Sequence, residues 1–431
     1  MFCQLELLRR CFPPSVRHIL EELPDSLDET YERILREIGK PNQGHAHRLL
    51  QCLVVAVRPL EVKELAEVLA FDFNTGGMPK LNPGWRWEDQ EEAVTSACSS
   101  LVTIVKDGDS RIVQFSHFSV KEFLTADRLV KPFRDVSHYH IRLEAAHTIL
   151  AKACLGVLLR LDDRVDRDSV KSFPLARYAA QYWPTHARVE DVASHIHDGM
   201  ELLFDADKSH FATWLWIYNE DGGSMSTVRP EDPEGVPLYH AARFGFRDLA
   251  ERLVVEHPKH VNARGGEFET PMHVAAYAGH ANITSLLIEY GADMEGHVGS
   301  LNGGTPLDRA SWHGRLEVGQ CLLDRGANID SRDGLRYTPL MTAAVQGHVE
   351  FARMLLEHGA MIDAQNYLGN TALHYAIANE RTQTVQLLLE HGADVNVRSD
   401  EGDTPSNLAS SSGSQEIVEL MAAYGAESEK K

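Results

Sequence analysis

The sequence predicts a mainly α protein in which a helical region carrying one β-hairpin leads into a solenoid of about six two-helix units. Three observations carry that expectation. Residues after 235 repeat with a period near 33. Two alternating apolar segments flank an Asp107-Gly108 turn, a strong hairpin signal. Elsewhere the apolar residues recur at helical rather than strand spacing, behind recognisable helix caps.

In chain order, PDSLDETYERILREI places Ser26 and Glu29 in capping-box spacing, with Leu27, Tyr31, Ile34, Leu35 and Ile38 on one helical face. A helical run over 45–57 passes through Arg58-Pro59 into EVKELAEVLAF, and WEDQEEAVTSACSSL supplies a third helix. LVTIV and RIVQF, joined by KDGDS, then form the hairpin. Three helices and a hairpin are the order of a winged helix, expected over 41–130. The stretch FSHFSVKEFL follows, pairing Ser116 with His117; without a GxSxG-type strained turn or a group to orient the histidine, it predicts a strand-to-helix joint rather than a nucleophile. Ser119 and Glu122 stand in capping-box spacing for the helix after it. Residues 131–219, including HIRLEAAHTILAKACLGVLL and FPLARYAAQYW, read as a helical layer in which Trp183, Trp214 and Trp216 are core. EDGGSMSTVRPEDPEG, residues 220–235, is the linker.

The remaining 236–431 aligns on itself as VPLYHAARFGF (Val236), TPMHVAAYAGH (Thr270), TPLDRASWHGR (Thr305), TPLMTAAVQGH (Thr338), TALHYAIANER (Thr371) and TPSNLASSSGS (Thr404). A Gly-Ala landmark keeps the same beat at Gly291, Gly326, Gly359, Gly392 and Gly425. Thr caps a first helix, Pro occupies its first turn where a missing N–H costs nothing, and the small Ala pair allows close helix approach. Gly ends that helix and a second Gly ends the next. This resembles the ankyrin repeat, and the resemblance implies that His273, His280, His348 and His374 make hydrogen bonds between units. The first unit lacks the Thr; the sixth replaces Leu-His by Ser406-Asn407 and ends in ESEKK. Both departures suit capping units and predict a stack complete at its C-terminal side.

The wording of ELPDSLDETYERIL, RPLEVKELAEVLAF, CSSLVTIV, FSHFSVKEFL and FPLARYAAQYW closely resembles the segment that follows the nucleotide-binding NACHT module in fungal NACHT–ankyrin proteins of the NOD-like-receptor signalling type. Its winged helix is catalogued as the GPI inositol-deacylase type, a name that implies no deacylase chemistry. The resemblance makes 1–40 a helical segment C-terminal to a NACHT module. No GxxxxGK[ST] occurs in the chain, so no phosphate-cradling loop is present and no nucleotide cofactor is expected. The expectation is a NACHT–ankyrin protein without its motor, either a stand-alone regulatory derivative or a truncated gene model of a full NACHT ATPase.

Charge narrows the function classes. The net charge of −21 is spread over both halves, with 27 basic against 37 acidic residues in 1–235 and 15 against 26 in 236–431. The helix preceding the hairpin, which would enter the DNA groove of a winged-helix transcriptional regulator, carries Glu88, Asp89, Glu91 and Glu92 and no Lys or Arg. A phosphate backbone would be repelled, so no nucleic-acid partner is expected. The longest apolar run, Leu53 to Val57, is too short to span a bilayer, and no membrane partner is expected. Cys3, Cys11, Cys52, Cys98, Cys154 and Cys321 lack metal-module spacing and read as reduced thiols of a cytoplasmic protein. The pairs His45/His47, His138/His140 and His195/His197 lack a third ligand at fixed spacing and read as surface histidines rather than metal ligands.

The expected function is therefore non-enzymatic: a recognition arm that binds protein partners on the concave face of the repeats, with no small-molecule substrate. Ankyrin units vary at the pair before Gly-His on the first helix and in the turn before Thr-Pro. Those positions nominate Tyr277, Trp312, His313, Val345 and Gln346 on the helices, with Leu335, Tyr337, Tyr367, Leu368 and Asn370 in the turns. The aromatic content is that of interface anchors. The competing expectation is that Trp312 and Tyr337 pack on each other and only fill gaps between units.

Overall fold

A computed structural model describes residues 26–74, 76–130, 136–205, 208–218, 235–265, 270–297, 303–411 and 414–428. The chain divides into two compact units, 1–233 and 234–431, each described by itself. The predicted linker lies outside the described residues apart from Gly235, as do residues 1–25 with Cys3 and Cys11.

Helix α1 (Leu27–Glu37) is capped by Ser26, whose side chain accepts from the Glu29 N–H at 3.2 Å. Tyr31, Ile34 and Leu35 are buried on its inner face. Leu27, expected on that face, is instead 41% exposed. Helix α2 (Gln43–Val55) stops short of Pro59, whose ring disfavours helical backbone in the residue before it. Strand β1 (Leu60–Glu61) leads into α3 (Val62–Leu69), where Glu61 and Glu64 form a capping box. Asp89 then accepts from the Glu91 and Glu92 N–H groups, both at 3.0 Å, and starts α4 (Gln90–Cys98). Strands β2 (Val102–Asp107) and β3 (Ser110–Phe115) are joined by a two-residue turn, in register Asp107 to Ser110. Gly108 sits in that turn at φ +58°, a left-handed conformation glycine adopts without penalty. β1 pairs antiparallel with β3, giving the order β1-β3-β2. Three helices and a three-stranded sheet are thus assembled in winged-helix order.

Helix α5 (Phe118–Thr125) corrects the expected cap: its N-cap is His117, not Ser119. The His117 Nδ1 accepts from the Ser119 N–H at 3.2 Å, which puts Ser119 inside the first turn. The Ser119 hydroxyl meets His117 Nδ1 at 2.6 Å and the Tyr31 hydroxyl at 2.8 Å, stitching α5 to α1.

Beyond residue 136 the helices Leu143–Leu158, Ala176–Ala187, His197–Phe204 and His210–Tyr218 enclose an aromatic core. Trp183, Phe204 and Trp214 lie 5.4–6.1 Å apart ring to ring, and the Trp214 Nε1–H donates to the Ala180 carbonyl at 2.9 Å. Of the six paired histidines, His45, His138, His195 and His197 are exposed, but His47 and His140 are half-buried rather than on the surface. His47 packs edge-on against Tyr139, ring centroids 6.0 Å apart, and burial lowers its pKa.

The second unit is a stack of helix pairs. Their first helices are Pro237–Phe244, Pro271–Ala278, Pro306–Trp312, Pro339–Gln346, Ala372–Ala378 and Pro405–Ser411. The Ala pairs at 275–276 and 343–344 are fully buried, where any larger side chain would hold neighbouring helices apart. Gly245, at φ +83°, ends its helix; a Cβ there would lie 2.7 Å from the His280 ring of the next unit. The repeat histidines bridge units: His280 Nε2 faces the Arg243 carbonyl at 3.3 Å, and His348 Nε2 faces the Trp312 carbonyl at 3.0 Å. His273 and His374 tie their own Thr to the following turn, through Gly296 O at 2.9 Å and Asp403 O at 3.3 Å. The last Gly-Ala, at Gly425, departs from expectation. Helix Gln415–Ser428 continues through Gly425 instead of ending there, since one glycine in a helix costs only about 1 kcal/mol relative to alanine.

Candidate protein-binding surface

Each first helix presents its variable residues beside those of its neighbours, and the turns before Thr-Pro stack in the same way. The turn ladder is bonded: Tyr367 N–H donates to the Leu335 carbonyl at 3.3 Å, and Asp400 N–H to the Leu368 carbonyl at 2.9 Å. Within turns, Asp333 Oδ1 accepts from the Leu335 and Tyr337 N–H groups at 2.9 and 2.7 Å. Asn366 Oδ1 likewise accepts from Leu368 and Asn370 at 3.0 and 2.9 Å. These side-chain-to-backbone bonds give the turns one shape without help from a partner.

Of the nominated residues, Tyr277, Trp312 and Tyr367 are 46%, 49% and 50% exposed, high for such large side chains. Tyr277 stands edge-on to His313 at 4.3 Å. Leu335, Tyr337, Val345, Gln346, Leu368 and Asn370 are intermediate in exposure. Tyr337 is drawn inward by a partner the motif did not nominate, Tyr375. Their rings lie 4.9 Å apart, and the Tyr337 hydroxyl donates to that of Tyr375 at 2.6 Å.

Trp312, Leu335, Tyr337 and Val345 converge on one cleft of about 430 Å³ between the third, fourth and fifth units. Tyr277, His313, Gln346, Tyr367, Leu368 and Asn370 lie outside its lining. Sequence reasoning missed Asp308, Arg309, Thr342 and Tyr375 in the same walls. Their signal was present: the x of T-P-L-H-x-A varies as Val274, Arg309, Thr342 and Tyr375 in consecutive units, and Asp308 replaces the expected His.

Asp308 has an unusual environment. It is 7% exposed, and its Oδ2 accepts from the Thr305 N–H at 2.7 Å and the Thr305 hydroxyl at 2.9 Å. Its Oδ1 has no hydrogen-bond partner. Burial pushes its pKa up to about 6, against the Thr305 hydrogen bonds that pull it down.

Elsewhere, Trp85 and Trp87 are about half exposed beside His45. Glu88, Asp89, Glu91 and Asp109 line an open recess near the hairpin turn. Among the described residues there is no group of His, Cys, Asp and Glu side chains that could hold a metal, and no helix long and apolar enough to cross a membrane. Cys52, Cys98, Cys154 and Cys321 are free thiols.

Comparison with known proteins agrees with this architecture. Residues 31–134 match the GPI inositol-deacylase, winged helix domain. Ankyrin repeats match in three copies, over 238–333, 330–399 and 369–431. The chain joins a NACHT-associated winged helix to ankyrin repeats. The winged helix–ankyrin chain is 31% identical over 296 residues to an azaphilone pigments biosynthesis cluster protein L of Monascus ruber, covering 64% of this chain and 61% of that protein. Vegetative incompatibility protein HET-E-1 of Podospora anserina is 27% identical over 241 residues, 50% of this chain and 17% of its own length. Ankyrin repeat and SAM domain-containing protein 6 of Mus musculus is 37% identical over 117 residues, 26% of this chain and 13% of its own. The winged helix–ankyrin chain thus spans about three fifths of the pigment-cluster relative and far less of the other two. Its ankyrin repeats are a protein–protein interaction module.

Proposed function

We propose that this chain is the recognition arm of a NACHT–ankyrin type signalling protein: a non-enzymatic, cytoplasmic binder that holds protein partners on the concave face of its repeats. The observation that carries the reading is the set of half-exposed aromatics, Tyr277, Trp312 and Tyr367, at variable repeat positions beside turns already shaped by internal hydrogen bonds. Large rigid aromatics on a preformed surface lose little entropy on binding, which is what makes them anchors. Leu335, Tyr337, Val345 and Leu368 supply the surrounding apolar contact. His313, Gln346 and Asn370 supply polar contacts at its edge.

Several features support a purely binding role. Ser119 and His117 are spent on a helix cap and on Tyr31, an arrangement without an oriented general base. The acidic start of α4 opposes a DNA backbone, and among the described residues no helix is long and apolar enough to cross a membrane. With no P-loop in the sequence, nucleotide switching falls to another polypeptide segment or partner. The reading is tested by placing the photo-crosslinker p-benzoylphenylalanine at Trp312, or at Arg353 on a second helix, in the full chain and irradiating in cells. A protein adduct specific to position 312 supports the reading; equal adducts at both positions, or none at 312, overturn it.

A further inference from the structure

The cleft at Trp312 combines features that none of the repeat positions shows singly. In the second and fifth units the residue three after Thr is histidine. His273 uses both nitrogens, one on Thr270 at 2.7 Å and one on Gly296 O at 2.9 Å, and His374 does the same with Thr371 and Asp403. In the third unit Asp308 takes over the first task through Oδ2 and leaves Oδ1 buried and without a hydrogen-bond partner. Burying a carboxylate oxygen unpaired is costly, and a polar atom left in that condition inside a cleft marks the place of a missing donor. Asp333 adds a second carboxylate to the walls; its Oδ1 serves two backbone amides, and its charge is felt by Asp308. Trp312, Tyr337 and Tyr375 complete the lining with aromatic rings. Arg309 is the one cation among the lining residues, and its charge helps lower the pKa of His273 in the second unit and of His313 in its own.

Resting on the reading of this face as a protein-binding surface, we infer that the cleft takes the cationic side chain of a lysine or arginine from a basic partner segment, paired with Asp308 and flanked by Trp312 and Tyr375. Aromatic faces attract cations through their quadrupole, and a carboxylate at the end of such a slot fixes the charged tip. The cleft of about 430 Å³ has room for a long side chain and part of the backbone that bears it. The net charge of −21 draws a basic segment toward the chain at long range, raising the encounter rate. Asp308, the only carboxylate among the repeat residues that sits three after the Thr or Val landmark, is what makes this unit the receiving one.

The test uses the full chain carrying 5-fluorotryptophan. Trp312 is the one tryptophan after residue 235, so its fluorine resonance, assigned with Trp312→Phe, reports this cleft. Random peptides displayed on phage are selected against the chain, and the enriched sequences are synthesised with each Lys or Arg replaced in turn by norleucine. The expected result is that selected peptides carry a basic residue at one fixed position and shift the Trp312 resonance saturably. Norleucine at that position should weaken binding about tenfold, and Asp308→Asn, which keeps an oxygen for Thr305, should erase most of that difference. Peptides that shift Trp312 equally well with norleucine overturn the cationic assignment and leave the protein-binding reading standing. If no selected peptide shifts the Trp312 resonance, both fall.

Discussion

Asp308→Asn should stabilise the repeats, and by an amount that grows with pH. The carboxyl titrates near 6 in the folded chain and near 3.8 unfolded, a raised folded pKa. Its contribution is therefore fully favourable below 3.8 and is lost as pH rises through 6, because ionising the buried group costs more than ionising it in water. A rise from 3.8 to about 6 corresponds to about 3 kcal/mol of destabilisation when the group is fully ionised. Integrating the two titrations gives roughly half of that at pH 5 and nearly all of it at pH 7.5. Asparagine does not ionise and keeps one oxygen to accept from the Thr305 N–H and hydroxyl, so the cap survives. Urea unfolding of the full chain, followed through the fluorine resonance of 5-fluorotryptophan at 312, measures both proteins at both pH values. The advantage of the variant should rise by about 1 kcal/mol between pH 5 and pH 7.5. A pH-independent difference, or one that shrinks as pH rises, would refute the buried, unpaired state of this carboxylate.

Four further outcomes are expected. Trp312→Ala and Tyr367→Ala, each about half exposed, should leave the melting temperature nearly unchanged while weakening capture of a bound partner by about 2 kcal/mol per true anchor; calorimetry beside affinity measurement separates anchor from core. His273 has the opposite sign to Asp308: burial lowers it from 6.5 to about 4, so its contribution is present above pH 6.5 and is lost on acidification toward 4. Removing it in His273→Asn should flatten the acid limb of the unfolding profile by about 3 kcal/mol in a urea series across that range. Equilibrium dialysis should find no saturable ATP binding at micromolar concentration, since no phosphate-cradling loop is present. Limited proteolysis should cut first within 220–235 and release two pieces that each unfold cooperatively; first cuts inside the repeats would displace the domain boundary.

The sequence by itself determined what is local or periodic. Ser26 before an i,i+4 apolar pattern, Asp107-Gly108 between two alternating segments and Thr-Pro at intervals near 33 residues each specify their structure through neighbours a few residues away, and all reappear in the fold. The exposure of Tyr277, Trp312 and Tyr367 was legible for the same reason: the repeat assigns every position a side of the helix or turn. Tertiary structure decided what depends on contact across the repeat. Tyr337 is variable and aromatic by its position, yet Tyr375, 38 residues away, turns it inward with a hydroxyl bond. His47 occupies an ordinary exposed-looking site until Tyr139 covers it, and His117 rather than Ser119 caps α5, where the Ser119 hydroxyl meets Tyr31 from α1, 88 residues away. Asp308 shows the division most clearly. Its substitution for histidine is visible in the sequence, but that one carboxylate oxygen lacks a partner depends on which groups surround it. Those groups come from three separate units that only the stacked solenoid brings together.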